Sequence, residues 1–141
     1  MTFEDLHKKL LSIGVADSKY YLHGLFGSAD DNEKLGLTVF KEGSRTKYQV
    51  YFKERGIVSS TWDFDTEDEA CNYMFQILKD EQTFWRIRRI DGLHGMTVNE
   101  RLFASGLLDE FDNMKKNDKS RARLILKWLQ VDEPSINKII N

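Results

Sequence analysis

Residues 47–52 constrain this chain more than any other stretch. Tyr48, Val50 and Phe52 alternate with Lys47, Gln49 and Tyr51. That period of two is the mark of a half-buried β-strand. Leu35 to Phe40 precedes it and Ile57 to Phe64, rich in β-branched residues, follows it. Glu42-Gly43-Ser44 and Glu54-Arg55-Gly56 separate the three as turns. Connections this short cannot make a crossover, so the three strands must form an antiparallel meander. Tyr20 to His23 reads as a fourth strand, its aromatics suited to a pleated surface. Gly27 to Lys34 is polar and rich in turn formers, and reads as a loop.

An open sheet of this kind needs a cover on one face. Thr66-Glu67-Asp68-Glu69 fits a capping box, and Ala70, Tyr73, Met74, Ile77 and Leu78 then form an apolar helical stripe. A shorter opening helix uses Phe3, Leu6, Leu10, Leu11 and Ile13, with Gly14 able to end it. Phe84 to Ile90 fits either a continuation of the long helix or a further strand. The alternating arginines around Trp85 and Ile87 tilt the reading towards a strand. Beyond Asp91 the chain is helical. Thr97 to Glu100 is a second capping box, and Gly106 can end that helix. Asp118 and Asp132 are further caps, with Pro134 tolerated in a first turn. The expected fold is α+β: an antiparallel β-meander of four or five strands covered by a helix, followed by a C-terminal helical bundle. The expected organisation is a single domain over residues 1–141. A sheet-plus-helix portion covers 1–91 and a helical module covers 96–140.

Charge is uneven. Residues 1–82 hold 10 Lys/Arg against 15 Asp/Glu, a net −5. Residues 83–141 hold 11 against 8, a net +3. An acidic first part suits a basic partner. A single cysteine cannot close an intrachain disulfide, and the acidic, amphipathic start lacks the basic and apolar runs of a secretory signal. No apolar run is long enough to span a membrane. A cytoplasmic location is expected.

Residues that build catalytic or metal centres are sparse. His7, His23 and His94 are far apart, and no nucleophile pattern accompanies them. Asp63, Asp65, Asp68 and Glu69 resemble a metal cluster, but helix capping accounts for most of them, and the glycine of a calcium loop is missing. Cys71 lies near a helix start, where the dipole could activate it, and beside the apolar stripe, where it would only pack. No cofactor, metal site or catalytic residue is expected, and the chain is not read as an enzyme. Arg86, Arg88 and Arg89, interleaved with Trp85 and Ile87, could form a nucleic-acid strip. A sequence pI near 5.9 argues against it. Tyr51, out of phase with its apolar neighbours, is expected to point outward as a binding aromatic, with Trp62 as another.

Met96 to Phe103, then Gly106-Leu107 and Glu110-Phe111-Asp112, resemble the helical module that ends many small bacterial proteins. Some of these are immunity proteins of contact-dependent inhibition or related polymorphic toxin systems. Tyr48 to Gly56 and the helix start at Asp65 to Ala70 are similar to such immunity proteins too. The resemblance implies a cytoplasmic inhibitor that occludes the active site of a cognate toxin domain. Joined to the acidic first part, it points to a basic nuclease as the target. The residues expected to touch the toxin are Asp30, Asp31 and Glu33 in the loop, Asp63, Asp65, Glu67 and Asp68 near the sheet end, and Tyr51 and Trp62 as anchors. The alternatives are a small nucleic-acid-associated regulator and a protein-binding adaptor.

Overall fold

The computed structural model describes residues 1–141. The chain forms two compact units, Met1–Gln82 and Thr83–Asn141. The same division separates the acidic from the basic part of the sequence. It falls inside a helix, not at the glycine-flanked junction after residue 91.

The first unit is an α+β layer. Helix α1 (Phe3–Ser12) is capped by Thr2 and Asp5 in a capping box. The strands are β1 (Tyr20–Leu22), β2 (Phe26–Gly27), β3 (Lys34–Glu42), β4 (Arg45–Glu54) and β5 (Ile57–Phe64), followed by helix α2 (Glu67–Arg88). The sheet order is β2-β1-β3-β4-β5. Strands β3, β4 and β5 form the expected antiparallel meander. The expectation of a wholly antiparallel sheet is corrected at β1, which pairs parallel to β3 through Tyr20–Leu35 and Leu22–Leu37. A parallel pair needs a return path. Here β2 supplies it, running back along the outer side of β1 before residues 28–33 carry the chain across to β3. Two-residue β2 starts at Phe26, so the expected loop is shorter at both ends. Its Gly27 has φ +79°, and a Cβ there would lie 2.5 Å from the Tyr20 carbonyl oxygen. Only glycine permits that approach.

Leu6 and Leu10 of α1, Ala70, Met74 and Leu78 of α2, and Leu22, Leu37 and Val50 of the sheet are buried together. The helices therefore cover the sheet face that carries Tyr48, Val50 and Phe52. Cys71 belongs to this core.

Residues 84–88 are helical, which corrects the expected strand. No glycine or proline interrupts residues 66–91, and extending an existing helix costs far less than nucleating a new element. Tertiary burial decides the matter, because Ile87 enters the core of the second unit at 1% exposure.

The second unit is helical. It contains the end of α2, then α3 (Val98–Ser105), α4 (Leu108–Asn117), α5 (Lys119–Trp128) and α6 (Glu133–Ile140). Thr97 with Glu100 forms the predicted box, Gly106 ends α3 at φ +74°, and Asp118 and Asp132 cap α5 and α6. Leu102, Leu107, Phe111, Ile125, Leu126 and Ile136 fill its core. Arg101 ties the unit's connections together by donating to the carbonyls of Met96, Leu129, Gln130 and His94 at 3.0–3.3 Å.

Candidate binding surfaces

The open face of the sheet starts from Gly36. Its cross-strand partner on β4 is Tyr51. With no side chain at Gly36, the Tyr51 ring folds flat over the backbone; a Cβ there would be 2.6 Å from its Cζ. The Tyr51 hydroxyl then donates to Asp31 Oδ2 at 2.7 Å, and Lys53 Nζ sits 3.2 Å from Asp31 Oδ1. Tyr51 does point away from the main core, as its phase requires, but it is 6% exposed. The expectation of an outward binding aromatic is corrected: a bare glycine and a carboxylate in reach turn this ring into a second, small packing centre.

Asp31 is held in its ionised form. The hydrogen bond from Tyr51, then that from Lys53, keeps its carboxyl below the usual range. Burial and the facing Asp31 charge push the Tyr51 phenol well above its ordinary value. Asp30 is exposed and lies 3.6 Å from Lys34. Glu33 adopts φ +55° and accepts the Arg55 backbone N–H, so it clasps the β4–β5 turn.

The other acids gather where β5 passes into α2. Asp63 accepts from the Gln49 amide at 2.9 Å. Asp65 pairs with Lys47. Glu67 accepts the Phe3 N–H at 2.8 Å, and Asp68 takes the N-terminal ammonium at 2.6 Å. The hydrogen bonds from Lys47 and from the ammonium lower the Asp65 and Asp68 carboxyls. The Thr66 hydroxyl accepts the Glu69 N–H at 3.2 Å, the N-cap contact the sequence predicts. Asp65 and Asp68 remain largely exposed while paired.

These acids do not form one patch. The register places the loop acids beside Lys53 and the others beside Lys47. At about 3.3 Å per strand residue the two groups are roughly 20 Å apart. Trp62 lies on the helix-covered side at the rim, its ring 5.6 Å from Tyr73 and 36% exposed.

No family model, curated protein or solved structure matches this chain.

The remaining candidates have structural partners. His7 Nδ1 lies 2.8 Å from the Tyr20 hydroxyl, and His23 Nδ1 lies 2.8 Å from Thr38 Oγ1. Burial pushes the Cys71 thiol up to about 12, the reverse of dipole activation. No three His, Cys, Asp or Glu side chains converge as a metal site would require. No helix is long and apolar enough to cross a membrane. Being helical, the arginine segment does not present a strip: Arg86 reaches the Ser105 carbonyl, while Arg88 lies over the Phe84 and Trp85 rings.

Two surfaces escaped sequence reasoning. One is the outer edge of β5, a strand exposed from Ile57 to Asp63, of which only Trp62 and Asp63 were among the expected contacts. The other is a shallow depression in the second unit, lined by Met96, Phe103, Ala104 and Leu108 with Glu100 and Asp112 at its rim. Phe103, 78% exposed, is its most prominent apolar group. For β5 the signal was present, since residues 57–64 contain no Lys, Arg or Pro. That its flank is free depends on the strand order.

Proposed function

We propose that this protein is a cytoplasmic immunity protein. It binds a cognate bacterial toxin domain, a basic nuclease, and occludes its active site without making or breaking covalent bonds. The observation that carries the reading is the charge of the first unit, a net −5, with Asp30 exposed in the loop before β3 and Asp65 and Asp68 largely exposed near the start of α2. Such a field draws in a basic partner and raises its association rate. Trp62 at the rim supplies the large, low-entropy contact that slows dissociation. Tyr51 supports this surface by holding Asp31 and is not itself a contact.

Co-expression tests the reading. The partner is the C-terminal domain of the reading frame immediately upstream. Cells carrying both should survive, and the two chains should co-purify. Unprotected cells, with the present chain folded and abundant, end the proposal. A nucleic-acid regulator is the alternative. The exposed Trp85 beneath Arg88 favours it. It predicts salt-dependent binding of single strands that weakens in Arg88→Ala.

A further inference from the structure

Strand β5 is a long free edge. It ends the sheet, with β4 on one side. Alternate residues of an edge strand turn their N–H and C=O groups outward, where another strand can pair with them. Natural sheets blunt such edges with lysines, prolines, bulges or a covering element. Residues 57–64 carry a single charge, Asp63. The one irregularity is the register shift at Phe52/Lys53, which disturbs the start of β5 and leaves Ser60 to Phe64 in regular pairing. The opposite edge is managed differently. There β2 is two residues long and His7 of α1 stacks on Phe26 at 5.2 Å.

We infer that Ser60 to Phe64 accepts an extended segment of a partner protein by strand addition, and that this segment alternates apolar and basic residues. The inference rests on the proposed function in taking the partner to be a basic protein. The two sides of β5 supply the side-chain code. Trp62 and Phe64 share the side facing Tyr73, and the exposed part of the Trp62 ring offers an apolar side chain its contact. Thr61 and Asp63 share the other side with Gln49 and Tyr51. A lysine or arginine opposite Asp63 completes a cross-strand ion pair.

A second copy of the chain is a poorer occupant. Antiparallel pairing about Trp62 sets the two Asp63 side chains on one face at diagonal positions. Diagonal neighbours lie roughly 7–8 Å apart, so this pairing gives each Asp63 a second carboxylate nearby and no cation. Each copy would also bring its own acidic unit, net −5.

The probe is a disulfide-closed hairpin peptide whose outer strand alternates lysine and valine. Closure removes most of the ordering cost of a free peptide. Titrated into the full chain by NMR, it should slow amide exchange within residues 60–64 and leave β2 unchanged. Asp63→Lys, an exposed substitution, should weaken binding about tenfold. The same peptide N-methylated on its outward amides should not bind. Unchanged exchange across 60–64, equal binding of the methylated peptide, or a stable dimer through β5 would overturn strand addition. The outcome separates from that of the co-expression test. Protection without strand addition leaves an inhibitor that uses another surface. Strand addition without protection leaves β5 as the docking edge for a different basic protein.

Discussion

Tyr51 lies across Gly36, and its hydroxyl is 2.7 Å from Asp31. Each of the three depends on the others. The glycine gives the ring its place, the ring aims the hydroxyl, and the hydroxyl with Lys53 fixes the loop between β2 and β3. Gly36→Ala should destabilise the protein by about 1–3 kcal/mol, because the new methyl overlaps the ring. In a Tyr51→Leu background most of that cost should vanish. Denaturant melts of the four species form the double-mutant cycle. Additive costs would mean that the ring does not rest on Gly36.

Asp31 makes stability depend on pH. The hydrogen bonds from Tyr51 and Lys53 hold its folded carboxyl below the ordinary aspartate range. A depressed carboxyl contributes stability that is present above the unfolded pKa and lost as pH falls through the folded value. Asp31→Asn should therefore cost about 1–2 kcal/mol at pH 7. The gap between the two proteins should close as pH drops below the unfolded aspartate value of about 3.9 and through the lower folded one. Urea midpoints measured from pH 7 to pH 2 read this directly, and a gap that persists at the acid end would count against the pairing.

Cys71 should be inert in the native protein. It is buried, and its thiol is pushed up to about 12, so almost no thiolate exists at pH 8. A thiol reagent should label it only on unfolding, at a rate that follows urea concentration. Fast labelling of the native chain would mean that the α2 start opens freely.

Arg101 should resist a conservative change. One guanidinium serves four backbone carbonyls, from two separate stretches of chain. A lysine ammonium has the charge without the planar fork. Arg101→Lys should cost about 2 kcal/mol, since carbonyls lose charge-assisted partners. The loss should appear in the melting of the second unit.

Asp30 is the cleaner probe of electrostatic steering, because Asp31 also holds Tyr51. If the proposed basic toxin domain is the partner, Asp30→Lys should slow complex formation with it several-fold at low salt and much less at 0.15 M, where screening acts over about 8 Å. An unchanged rate at low salt removes the loop from the approach path.

The legible parts of the fold were those written in local pattern. Alternation at 47–52 and the two short turns specified β3, β4 and β5. The boxes at Thr66 and Thr97, and the caps at Asp118 and Asp132, specified helix starts to the residue. At the candidate surfaces, the acids and Trp62 were legible as charge and aromatic content. Their separation into two groups was not, because that depends on which residues of β4 lie beside each carboxylate.

Local pattern was enough for the elements whose hydrogen bonds and apolar faces close within a few residues: the three-stranded meander, the amphipathic helices and their caps. Packing between distant segments settled the rest. It set β1 parallel to β3, because β2 turned the chain back. It kept residues 84–88 helical, because Ile87 found a core. It buried Tyr51, because Gly36 lay opposite. It left β5 open, because no later segment came to pair with it. Each of these is a contact between residues distant in the chain, and no local preference encodes which partner arrives.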